Sequence, residues 1–174
     1  MVVWITGISA SGKSTLGKFF FKKLKKENKN TIFFDGDEFR KIFHNDIKYT
    51  LKDRDINAIR LTSLVKYVSD QKTNIIISAN ITSQKFRDWC KKHVKNYFEV
   101  FINTPMEILK KRDYKKLYKN ALSGKIKNVV GIDIKFIKPK NPDLIIDNLG
   151  TKRDLYLKYN KIMKEIKSRK IKIY

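Results

Sequence analysis

Short apolar runs alternate along the chain with longer stretches in which apolar positions recur every three or four residues. The short runs fall at 2–6, 31–34, 74–78, 97–102 and 143–146, and each is rich in β-branched or aromatic residues, as buried strands are. The intervening periodicity predicts helices at about 13–27, 37–44, 52–71, 84–93, 106–121 and 151–168. Regular alternation of this kind predicts an α/β fold: a parallel five-stranded sheet flanked by helices. Right-handed crossovers would bring every strand's C-terminal end to one edge, where open α/β sheets bind ligands.

No internal repeat or low-complexity linker interrupts this pattern, and 174 residues suit a single domain, 1–174. One segment breaks the rhythm. Ser123 to Pro142 has no helical period and holds two of the three prolines and two of the seven glycines. A loop of that length in a compact domain is commonly a functional lid, and the lid is expected to span about 112–138. The last residues, Arg169 to Tyr174, read either as a short edge strand or as a frayed tail.

The first strand runs directly into Gly7-Ile8-Ser9-Ala10-Ser11-Gly12-Lys13-Ser14-Thr15, a G-x-x-x-x-G-K-S-T sequence between a strand and a helix. That is a P-loop in its proper context, so the fold predicted is P-loop NTPase-like. Glycines allow backbone N–H groups to crowd around a phosphate, and the helix that follows presents its positive end to the anion. Gly7, Ser9, Ala10, Ser11, Gly12, Lys13, Ser14 and Thr15 are therefore the expected ATP-binding residues. Lys13 would reach the β/γ-phosphates, and the Ser14 hydroxyl would ligate Mg²⁺.

The second strand ends in Asp35-Gly36-Asp37-Glu38-Phe39-Arg40. Phosphoryl transfer to a hydroxyl is largely positioning and charge neutralisation, with one carboxylate oriented toward the attacking hydroxyl. Asp37 is expected in that role, while Asp35 reads chiefly as a helix cap. Arg40, one turn into the helix, would face the same cleft. Further on, Thr50 is positioned to N-cap a long helix with Asp53, which puts Arg54 and Asn57 at i and i+3 on one face, a cation and an amide suited to a nucleotide.

The net charge of +23 fits either a nucleic-acid footprint or solvated lysine on helix surfaces. Only seven of the 40 basic residues are Arg and the lysines run from Lys13 to Lys172, which favours solvated surface; nucleic acid is not an expected partner. No apolar run approaches the ~18 residues of a membrane span and the chain enters its first strand without a leader pattern, so a soluble cytoplasmic protein is expected. Cys90, the one cysteine, has no internal disulfide partner and reads as a half-buried helix residue. His44 and His93 lack ligand-spaced neighbours and read as surface helix positions, and Trp4 and Trp89 read as core. No zinc or haem site is expected.

Taken together, GISASGKST, FDGDEFR, KDRDINAIR, RDYKKLYKNALSGKIKNVVGID and KPKNPDL resemble the adenylylsulfate kinases in order and spacing over about residues 2–146. The resemblance implies a P-loop kinase that uses ATP and Mg²⁺ to phosphorylate the ribose 3′-hydroxyl of a small nucleotide carrying an anionic group. It implies Asp37 as the catalytic aspartate, Arg40, Arg54 and Asn57 as acceptor contacts, Lys115 as the lid lysine, Arg112 as a lid-side cation toward ATP, and Val130 to Asp133 as the closing segment. Asp35, Tyr49, Asn80, Ile81, Val129 and Ile132 complete the expected acceptor pocket. Family members are commonly dimeric, so a homodimer is a possible assembly.

Two departures fall on the acceptor half. Where the family has an aromatic before the lid glycine, in Phe-Thr-Gly-Ile-Asp, this chain has Val129, and the loss of one stacking face, worth about 1–3 kcal/mol, should weaken purine binding about tenfold or more. After the third strand, Asn80 replaces a Phe of the family pattern and offers hydrogen bonds where the family has an apolar wall. Capsule-associated relatives act on cytidine 5′-diphosphoramidate, and a smaller base with more polar readout suits these changes. That acceptor is the preferred reading, with adenylyl sulfate the alternative. A polynucleotide kinase or nucleic-acid-binding ATPase is a more distant reading. A GTPase is disfavoured because Asn28-Lys29-Asn30-Thr31 lacks the guanine-reading Asp.

Overall fold

The computed structural model describes residues 1–113 and 115–174; Tyr114, within the expected lid, lies outside the described residues. Five strands, β1 (Val2–Thr6), β2 (Thr31–Asp35), β3 (Asn74–Ser78), β4 (Tyr97–Asn103) and β5 (Leu144–Asp147), form one parallel sheet in the order β2-β3-β1-β4-β5. The helices are α1 (Lys13–Glu27), α2 (Gly36–Ile42), α3 (Leu51–Asp70), α4 (Gln84–His93), α5 (Met106–Lys111), α6 (Leu117–Leu122) and α7 (Lys152–Ser168). Successive strand residues supply opposite layers. Val3, Ile5 and Ile76 pack with Leu16, Phe20 and Ile162 from α1 and α7, while Val2, Trp4, Ile75 and Ile77 pack with Leu61, Val65 and Cys90 from α3 and α4. Burial on both faces is why these strands read as unbroken apolar runs.

The chain moves outward from β1 to β2 and then crosses back over β1 to β4, so β1 sits at the topological switch point. Its C-terminal end is where a ligand site belongs. A third, smaller cluster joins Ile8 of the following loop to Leu109, Tyr118, Val129, Val130 and Ile134. The irregular segment 123–142 thus has its own apolar core seated on the P-loop side of the sheet.

Three expectations need correction. The single helix expected at 106–121 is two helices. Lys116 adopts a left-handed φ of 55°, and the Asp113 carboxylate accepts the N–H groups of Leu117 at 2.8 Å and Lys119 at 3.0 Å, which starts a new helix instead of continuing the old one. The helix expected to reach residue 44 ends at Ile42, because His44 and Asn45 turn to φ 51° and 54°, so His44 lies on an exposed turn. The C-terminal residues are neither strand nor frayed end: Ile171 and Ile173 pack on the core, and the Tyr174 N–H donates to Asn74 Oδ1 at 3.0 Å.

Candidate active site

The loop after β1 is held open from several sides. Gly12 sits at φ +98°, and a Cβ there would come within 2.8 Å of both Asn148 Nδ2 and Leu155 Cδ2, so only glycine fits the approach of α7. Asn148 Nδ2 donates to the Ser11 carbonyl at 2.8 Å, and the Tyr118 hydroxyl donates to the Ser9 carbonyl at 2.8 Å. Within the loop, Gly7 and Ser11 are buried and do not line the cleft above it. With the carbonyls of Ile8, Ser9 and Ser11 tied back by side chains, the loop presents the start of α1 to an anion.

Above it opens a cleft of about 380 Å³. Ser9, Ala10, Gly12, Lys13, Ser14 and Thr15 form one wall, and Asp37, Arg112 and Lys115 form another. Arg112 is held by the carbonyls of Asn148, at 3.1 Å, and Gly150, at 2.6 Å. The third wall, Asn148, Gly150, Thr151, Lys152 and Leu155, was missed by sequence reasoning. Its one local signal was the Thr151/Asp154 capping box that opens α7 directly after a strand.

Lys13 is half-buried, its Nζ donating to the Ile8 carbonyl at 2.9 Å. Burial pulls its pKa from 10.5 to about 8, with Asp37 and Asp35 opposing and Lys115 adding slightly to the fall. The two carboxylates of the Asp-Gly-Asp turn differ in what they do. Asp35 Oδ1 caps α2 by accepting the Asp37 N–H at 3.0 Å, and its Oδ2 accepts the Ser14 hydroxyl at 2.5 Å. Among the described residues the Asp37 carboxylate meets Lys115, at 3.6 Å and largely exposed, an ion pair of little energetic weight.

Of the remaining expected residues, Arg40 and Arg54 meet over the Tyr49 ring. Arg40 is buried, donates to the Lys48 carbonyl at 2.9 Å and lies 4.8 Å from the centre of the Tyr49 ring. Arg54 lies 5.6 Å from the same ring and donates to the carbonyls of Tyr49, at 3.0 Å, and Asn128, at 2.8 Å, fastening α3 to the 123–142 segment. Burial lowers the pKa of both guanidiniums, and Asp37 is among the charges that raise both again, so its field reaches Lys13 on one side and Arg40 and Arg54 on the other. Asn57 and Asn80 each have a buried side-chain carbonyl with no hydrogen-bond partner among the described residues. They flank Ala58, Ala79 and Ile81, which pack in one cluster. Val129 is 5% exposed and packs within the third cluster, with its N–H donated to Asp133 Oδ1 at 2.5 Å; Ile132 packs at that cluster's margin.

Outside the cleft, Cys90 is fully buried, deeper than expected, and its thiol is pushed up to about 12 by burial, which leaves it inert. His93 stacks on Trp89 with ring centres 4.7 Å apart. Among the described residues no group of three or more His, Cys, Asp or Glu is placed to hold a metal, and no helix is long and apolar enough to cross a membrane.

Comparison with known proteins agrees with this geometry. The family described as Adenylylsulphate kinase matches residues 1–147. The chain is 37% identical over 165 residues to the cytidine diphosphoramidate kinase of Campylobacter jejuni, with 95% of each chain covered. It is 34% identical over 165 residues to the adenylyl-sulfate kinase of Buchnera aphidicola, with 94% of this chain and 80% of that one covered. Among solved structures, the Mycobacterium tuberculosis APS kinase in complex with AMPPNP and APS superposes with a TM-score of 0.84 at 28% identity, covering 95% of this chain and 96% of that one. A P-loop cleft bordered by an Asp-Gly-Asp turn, matched along most of the chain, makes this protein a member of the adenylylsulfate kinase family of ATP-dependent kinases.

Proposed function

We propose that this kinase moves the γ-phosphoryl group of ATP onto the ribose 3′-hydroxyl of a small nucleotide with an anionic substituent, and that cytidine 5′-diphosphoramidate is the acceptor. The observation that carries the transfer is the position of Asp37, which lines the P-loop cleft opposite Lys13 and Ser14 and whose charge also acts on Arg40 and Arg54. In this reading the loop amides and Lys13 hold the β/γ-phosphates, and Arg112 and Lys115 add positive charge where it develops during transfer. Asp37 releases Lys115 to the phosphate and orients the ribose hydroxyl for in-line attack. Ser14 and Asp35, whose oxygens stand 2.5 Å apart, offer the hard oxygen donors that would hold Mg²⁺. Bound there, Mg²⁺ would neutralise phosphate charge. Closure of residues 123–138 over the acceptor excludes water as a competing nucleophile.

Support for the pyrimidine acceptor comes from the partnerless carbonyls of Asn57 and Asn80, which call for an N–H donor such as an exocyclic amino group. It also comes from the aliphatic Val129 where family members stack an aromatic, and from the 37% identity to a cytidine diphosphoramidate kinase. Adenylyl sulfate is the second reading. Adenine also presents an amino group, Tyr49 retains one aromatic face, and the matched structure holds APS. Initial rates with purified protein, ATP and each nucleotide decide between them. A kcat/KM for cytidine 5′-diphosphoramidate at least about tenfold above that for adenylyl sulfate supports the first reading; the reverse order removes it.

A further inference from the structure

Arg87 of α4 and Glu99 of β4 form the most deeply buried ion pair among the described residues, each with a side-chain exposure of 1%. Arg87 Nε stands 3.5 Å from Glu99 Oε1, and Lys91, one turn further along α4, reaches Oε2 at 3.6 Å. Among the described residues no hydrogen bond of good geometry reaches either Glu99 oxygen or Arg87 Nε, so the ion pairs stand without them. Burial pushes the Glu99 carboxyl up while Arg87 and Lys91 pull it back. Attraction inside a protein rarely returns the full desolvation of two charges, so stability alone does not explain this pair.

Its effect is to aim the guanidinium. Arg87 Nη2 donates to the Ile81 carbonyl and, at 3.4 Å, to the Ile137 carbonyl, while Nη1 donates to Gln84 Oε1 at 3.3 Å. Gln84 Oε1 also accepts the Lys140 N–H at 3.3 Å, and Lys91 Nζ donates to the Asn141 carbonyl. Gln84, Arg87 and Lys91 stand at i, i+3 and i+7, one face of α4. That face holds two segments with no helix or strand structure of their own. One is 79–83, which carries Asn80 and Ile81; the other is 135–139 and the residues just beyond, the end of the irregular segment.

We infer that Arg87 is a positioning residue for the acceptor half of the site: one guanidinium, aimed by Glu99, sets the Asn80–Ile81 wall and fastens the end of the segment that closes over it. The inference rests on the acceptor reading above, and Arg87 acts through Ile81 and its neighbours without touching the nucleotide. Two variants test it, Arg87→Lys, which keeps the charge beside Glu99 but loses the fork, and the double variant Arg87→Met with Glu99→Gln, which removes both charges at similar volume. In both, the acceptor KM is expected to rise about tenfold while the ATP KM stays within about twofold. Hydrogen exchange is expected to quicken about tenfold at 79–83 and 135–141 and to stay unchanged at 7–15. Equal rises in both KM values, or unchanged exchange in the two segments, would overturn the inference and leave Arg87 a general stabiliser. A wild-type protein that phosphorylates neither nucleotide would instead overturn the acceptor reading, and the exchange pattern then decides by itself whether Arg87 holds both segments.

Discussion

Lys13 is a charge held in partial burial beside a cleft shaped for anions, and its titration reports on what the cleft is for. Its pKa in the folded protein, about 8, lies below the 10.5 of an exposed lysine. The unfolded chain therefore binds more protons between those values, and this group's contribution to stability rises with pH across that window. Below about 8 the buried ammonium opposes folding until an anion pairs with it. A bound triphosphate raises the lysine's pKa again, so ATP binding at about pH 8.5 should take up a fraction of a proton and weaken as pH rises further. Calorimetry in two buffers of different ionisation enthalpy measures the uptake; identical heats would exclude it. Asp37 is separable from its neighbour because Asp35 already caps α2. Asp37→Ala should lower turnover about 10²–10⁴-fold with ATP affinity changed less than about threefold, read from kcat and an ATP titration. Asn80→Ala should raise the acceptor KM about tenfold and leave the ATP KM unchanged, because one buried carbonyl loses its purpose. At this scale the loop residues that line the cleft were legible from spacing alone. Asn148 was not, because its bond to the Ser11 carbonyl joins positions 137 residues apart.

The elements divide between those written into local sequence and those decided by tertiary contact. The strands and α1, α3 and α4 follow their periodicity, and the Thr50/Asp53 capping box starts α3 as its residues suggest. The break between α5 and α6 was hidden because apolar spacing runs through it; Asp113 and the left-handed Lys116 override that spacing. The 123–142 segment has no period to read, and its order comes from a small core against Ile8. Gly131 tests that core. It sits at φ +95°, and a Cβ there would stand 2.7 Å from Met106 Cε. Gly131→Ala should cost about 1–2 kcal/mol and lower Tm by about 2–8 °C in a thermal melt, with the acceptor KM rising more than the ATP KM. An unchanged melting temperature and KM would mean the segment does not depend on that turn.

At the scale of the whole molecule, the parallel sheet was readable because burial on both faces leaves a composition that few other structures share. The nucleotide-binding edge followed from it, since crossovers of one hand carry every strand end to the same side. What could not be read was which polar groups that edge would leave without partners, or that α4 would hold two distant segments through one buried guanidinium. The net charge of +23 is spread over helices on both layers, which suits attraction of small polyanions more than a tracked nucleic-acid groove. On the proposed reading, the chemistry hinges on one short gap between a phosphate held by Lys13 and a hydroxyl held by Asp37. Phosphorus NMR of the reaction with ATP and cytidine 5′-diphosphoramidate observes that transfer directly. The predicted result is one ADP per new phosphomonoester, coupled to the ribose 3′ carbon; ADP released without a phosphorylated nucleotide, or phosphate found at any other position, would contradict it.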